Sequence, residues 1–127
     1  MDDADFGRIS ERKAGHWEGQ DFKLWRYSKV QVLIDAGSDG PSAEQRSFVQ
    51  SLRADVHAVR DRIEHAILER AHATISQVGQ LQLSSIYIPK APPDQMWRVW
   101  YGIAGEEHYW FGAEITGWNT ATAFVED

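Results

Sequence analysis

The chain has 127 residues, of which 43% are hydrophobic, 12% aromatic and 25% charged, with no cysteine. That size supports one domain with a real core and excludes a disulfide scaffold, a thiolate nucleophile, cysteine-type zinc sites and iron–sulfur clusters. A formal charge of −6 has the wrong sign for a phosphate-binding surface, so nucleic acid is excluded as a partner.

Residues 1–15 are polar and mixed in charge, with Phe6 and Ile9 as the sizeable apolar groups. They read as a loose N-terminal arm, and 16–127 as a single domain. The start is acidic and carries no apolar leader, and no stretch approaches the 18 apolar residues of a membrane span. The expectation is a cytoplasmic protein with no membrane partner.

From Trp17 the apolar residues alternate. Phe22 and Leu24 form one run, and Val30, Val32 and Ile34 form another, with Arg26 to Lys29 between them. Period-two patterning across so short a connection predicts an antiparallel hairpin. Turn formers follow at Gly37 to Pro41, and Ser42-Ala43-Glu44-Gln45 has the spacing of a capping box. Phe48, Leu52, Val56, Val59, Ile63 and Ile67 then recur at helical spacing. A single helix running to about His72 would be roughly 45 Å long at 1.5 Å per residue.

Beyond Gly79, residues Leu81, Leu83, Ile86 and Ile88 predict a strand that stops at Pro89. Two aromatic runs, Trp97 to Ile103 and Tyr109 to Ile115, and a short strand near Thr120 to Val125 complete the chain. The expected fold is α+β: an antiparallel sheet of about five to six strands, in the order β-β-α-β-β-β-β, with one long helix packed across one face.

The two aromatic runs pair well about Glu106. Ile103 then faces Tyr109, Tyr101 faces Phe111, Val99 faces Ala113 and Trp97 faces Ile115, giving one apolar face. The other face sets Gly102 against Trp110, Trp100 against Gly112, and Arg98 against Glu114. A one-residue slip would destroy both patterns. Exposed tryptophans beside an Arg and a Glu suggest a partner-binding surface of Arg98, Trp100, Trp110 and Glu114, extended at the hairpin tip by Glu106, Glu107 and His108. The competing expectation is purely structural: each tryptophan lies over a glycine and is covered by the arm or by Trp17, Trp25 and Trp118.

Catalytic signatures are lacking. The sequence has no Gly-x-Ser-x-Gly elbow, phosphate-binding glycine loop, dinucleotide fingerprint or His-Glu-x-x-His zinc helix. Ser84 and Ser85 have no informatively spaced histidine. His57, Asp61, His65, Glu69 and His72 recur along one helix line, but opposite the apolar stripe, where such pairs are ordinary surface decoration. No catalytic, cofactor or metal residue is therefore expected, and a non-enzymatic role is favoured.

Trp17-x-Gly19, the two strands, Pro41-Ser42-x-x-Gln45 opening a helix, Ile86-x-Ile88 and Tyr109-Trp110-Phe111-Gly112 together resemble small bacterial domains of unknown function that recur as immunity proteins in polymorphic-toxin loci. The resemblance spans roughly residues 17–118. It implies a non-enzymatic protein that binds and neutralises a cognate toxin, with a basic toxin domain matching the acidic charge. The alternative is an enzyme or small-ligand protein with an aromatic pocket between sheet and helix, and with Tyr87, His16 or Glu18 at its mouth. A homodimer through the sheet face or an unpaired edge strand is a third reading.

Overall fold

The computed structural model describes residues 1–55, 58–71, 81–104 and 106–126, and the side chains of all of these except 106–109 and 126. Eight strands form one sheet: β1 (Asp2–Asp3), β2 (Gly7–Lys13), β3 (His16–Leu24), β4 (Tyr27–Asp35), β5 (Leu81–Ile88), β6 (Trp97–Ile103), β7 (Glu106–Thr116) and β8 (Thr120–Glu126). Helices α1 (Ala43–Ala54) and α2 (Val59–Arg70) lie between β4 and β5. Spatial order follows chain order. Every neighbouring pair is antiparallel except β4 with β5, which run parallel. Parallel neighbours need a crossover connection, and the two helices provide it.

The expected sheet of five to six strands with one long helix is thereby corrected to eight strands and two short helices. The capping box at the start is as read: Ser42 Oγ accepts from Gln45 N at 3.1 Å, and Ser42 N donates to Gln45 Oε1 at 2.9 Å. The helix breaks at Asp55, which adopts a left-handed conformation with φ 49° and closes α1 by donating its N–H to Leu52 and Ser51 carbonyls. Its carboxylate then accepts from Arg60 N at 3.2 Å, serving the first turn of α2, because Ala58 offers no side-chain cap. A short carboxylate competes well for backbone N–H groups and tolerates the left-handed region, so Asp55 stops a helix that the apolar stripe alone would continue. Val56 and His57, within that stripe and the histidine line, lie outside the described residues, as does His72.

The N-terminal segment is also corrected from a loose arm to β1 and β2, the first two strands of the sheet. Phe6 and Ile9, its two apolar anchors, are 0% and 1% exposed. The segment's acids are not solvated decoration. Arg46 on α1 grips Asp3 through two contacts of 2.6 and 2.7 Å and reaches Asp5 at 3.2 Å, and Arg53 donates to the Asp5 carbonyl. This bidentate pairing, more than any other contact, holds the Asp3 carboxyl below its usual pKa. Two buried side chains and a carboxylate clamp fasten what composition alone presents as a tail.

Both helices cover one side of the sheet. Their apolar residues Phe48, Leu52, Ile63 and Ile67 meet Val32 and Ile34 on β4, Ile86 and Ile88 on β5, and Trp97, Val99, Tyr101, Phe111 and Ile115 farther across. Buried Gln45 stitches α1 to the sheet by donating to the carbonyls of Asp35 at 2.7 Å and Pro89 at 2.9 Å. In β5 the alternation shifts phase from Leu81 and Leu83 to Ile86 and Ile88. A register irregularity between Leu83 and Ser85 absorbs the shift, so both pairs face the helices.

Candidate functional site: the helix-free face of the sheet

The C-terminal hairpin forms in the predicted register. Trp97 pairs with Ile115, Arg98 with Glu114, Val99 with Ala113, Trp100 with Gly112, Tyr101 with Phe111, and Gly102 with Trp110. The expected Ile103–Tyr109 pair is the exception: a register shift places Ile103 opposite Glu106. Residues Trp97, Val99, Tyr101 and Ile103 turn toward the helices and are buried, which leaves Arg98, Trp100, Trp110 and Glu114 on the opposite face.

Among the described residues no helix covers that face, and register relations run across it. Glu18, Leu33, Tyr87, Arg98, Glu114 and Thr122 form one row through six strands, and Gln31, Ser85, Trp100, Gly112 and Phe124 form a second. Arg98 and Glu114 pair at 3.2 Å with about two-fifths of each side chain exposed. Arg98 Nε, by contrast, is buried and has no hydrogen-bond partner among the described residues. Trp110 is 40% exposed, and Trp100 is partly buried. Together with Gln31, Leu33, Ser84 and Ser85, the two tryptophans line a shallow hollow of about 290 Å³.

The expected covers for these tryptophans lie elsewhere. Trp17 is buried and donates to the Gly37 carbonyl, Trp25 donates to the Leu52 carbonyl on α1, and Trp118 stacks on Phe48 at 5.3 Å. The N-terminal strands occupy the far end of the sheet. The tryptophan-over-glycine expectation holds for Trp110, whose ring is 3.5 Å from the position of a Cβ on Gly102. Above Gly112 lies the Phe124 ring, so closely that an added methyl group would overlap it. Glu106, Glu107 and His108 open β7, but their side chains are outside the description.

A second feature occupies the same face toward β3. Tyr87 donates to Asp35 Oδ2 at 2.6 Å, and His16 Nδ1 lies 3.0 Å from Asp35 Oδ1. With Arg12, Lys13 and Glu18, these groups surround a hollow of about 510 Å³. Partial burial, followed by the hydrogen bond to Asp35, pushes the Tyr87 phenol up to about 12. Tyr87, His16 and Glu18 thus do meet, but on the open face. Between sheet and helices, where the aromatic pocket was expected, Phe48, Trp97 and Tyr101 are packed in the core.

The remaining polar cluster lies on the helix side and has no counterpart in the sequence reading. Glu64 of α2 is 1% exposed and accepts from Tyr101 at 2.9 Å and Tyr27 at 3.1 Å, with Arg26 3.5 Å away. Burial first, and then the Glu64 charge, raises both phenols above their usual value. On a helical wheel Glu64 lies about 60° from Ile67, at the border of the apolar stripe, and that position was the available signal. Asp61, His65 and Glu69, by contrast, are exposed on α2 as expected.

No protein-family model matches this chain, and no significant match was found among curated proteins or solved structures. Among the described residues, no helix is long and apolar enough to cross a membrane.

Proposed function

We propose that this chain is a non-enzymatic protein-binding domain that engages its partner through the helix-free face around Arg98, Trp100, Trp110 and Glu114. The observation that carries this reading is a tryptophan surface that none of the described residues covers, beside the part-exposed Arg98–Glu114 pair. Large aromatics and Arg supply much of the energy where proteins bury one another. The net charge of −6 favours a basic partner and speeds its approach. The resemblance in the sequence makes that partner a bacterial toxin domain, neutralised in the cytoplasm.

The test begins with tagged protein purified from its host. A single basic protein in stoichiometric complex, toxic when expressed without this chain, is the expected partner. Trp110→Ala and Arg98→Ala should each weaken that complex by about thirtyfold, the scale of an interface hot spot, while circular dichroism shows an intact fold. Unchanged affinity in both variants would sink the proposal.

The hollow at His16, Asp35 and Tyr87 supports a second reading, a small polar ligand bound on the same face. It requires a compound whose binding His16→Ala and Tyr87→Phe both weaken.

A further inference from the structure

The two edges of the sheet are unlike. At one end lies β1, two acidic residues long. At the other lies β8, seven residues of sequence Thr-Ala-Thr-Ala-Phe-Val-Glu, paired regularly with β7 and, among the described residues, flanked by no strand on its outer side. An exposed edge offers a row of unpaired backbone N–H and C=O groups, and proteins usually blunt it with lysine, proline, a bulge or brevity. β8 carries none of these devices. It has one charged residue, no register shift along its length, and an exposed Val125 at 41%.

From this edge we infer that two copies of the chain pair antiparallel through β8, continuing the sheet from one copy into the other. The strand is self-complementary about Ala123. Helix-side and outer residues alternate along β8, so only registers that pair like with like preserve the faces. Centred on Ala123, position 121 meets 125, 122 meets 124, and 120 meets 126. Val125 then lies against an alanine, and Phe124 against a threonine. Bulky residues meet small ones, and no like charges stand opposed. Beside the edge, α2 and β8 leave an open groove lined by Ala66, Glu69, Arg70, Ala121, Thr122 and Ala123, so no described residue obstructs the approach on the helix side. A second copy fits this edge because each strand supplies what the other lacks.

Light scattering and sedimentation of the full chain, over a hundredfold range of concentration, should show a reversible dimer. Val125→Lys places a cation on the exposed, helix-side position and should return the protein to monomer. Thr122 is exposed and faces Phe124 of the second copy, so Thr122→Lys and Thr122→Glu should each loosen the dimer. Each change should be roughly tenfold, since two symmetric pairs are altered at once. Circular dichroism of each variant separates dissociation from unfolding. A monomer at every concentration overturns the inference, as does a dimer indifferent to all three substitutions. Trp110→Ala, the probe of the partner-binding face, should leave this dimer intact, so the two proposals stand or fall separately.

Discussion

Tyr101→Phe removes one hydroxyl from the buried cage of Glu64. The lost bond is 2.9 Å long and ends on a carboxylate 1% exposed to solvent. Hydrogen bonds to charged groups contribute about 1.5–3 kcal/mol, and Tyr27 still serves the same oxygen, so a loss of about 2 kcal/mol is expected. For 127 residues, an unfolding entropy of about 2.1 cal/mol/K per residue converts this to a fall in Tm of about 7 °C. Urea titration followed by tryptophan fluorescence gives the free energy, and calorimetry gives the midpoint. The cycle with Glu64→Gln isolates the interaction: the double variant should lose about 1 kcal/mol less than the sum of the two single losses. A Tyr101→Phe cost under about 0.5 kcal/mol, or strict additivity in the cycle, would refute the view that α2 is fixed to the sheet through this carboxylate.

Two further outcomes concern pH. Because Asp3 has a lowered carboxyl pKa when folded, its contribution is present above the ordinary value of 3.8 and fades as pH falls below it. Asp3→Asn should therefore cost about 2 kcal/mol in urea titrations at neutral pH and progressively less as pH falls below 3.8; a cost that does not change with pH would contradict the role given to the Arg46 clamp. Tyr87 shifts the other way, so its contribution is complete below pH 10 and disappears as pH rises toward about 12. In a tyrosinate absorbance titration, Asp35→Asn should move one of the four tyrosines to lower pH, and an unchanged curve would remove Asp35 as a cause.

What the sequence revealed follows from how local each signal is. The register of β6 and β7 was legible because alternating bulky and bare residues penalise every slip, and the capping box because four adjacent residues contain it. The end of α1 was not: Asp55 sits within a faultless apolar stripe, and its left-handed turn shows only when the sheet beneath is known. The strands at residues 1–13 were hidden for the opposite reason. Their anchors are Arg46 and Arg53, some forty residues away, and no window along the chain joins them to Asp3 and Asp5. The open face was half legible, because Trp100 and Trp110 were read together while their neighbours on β4 and β5 depend on the crossover.

The single parallel pair has a consequence for how the protein comes to exist in time. β1 to β4 and β5 to β8 are two ribbons, each assembled from neighbours in sequence, and such local pairings form early. Joining them requires closing the stretch from 36 to 80 and seating both helices, a far costlier encounter in chain entropy. The row that runs from Glu18 and Leu33 to Tyr87 and Arg98 crosses that seam. Neither ribbon alone displays it. The continuous row is therefore completed only when the two ribbons join, whereas Arg98, Trp100, Trp110 and Glu114 are brought together within the second ribbon alone.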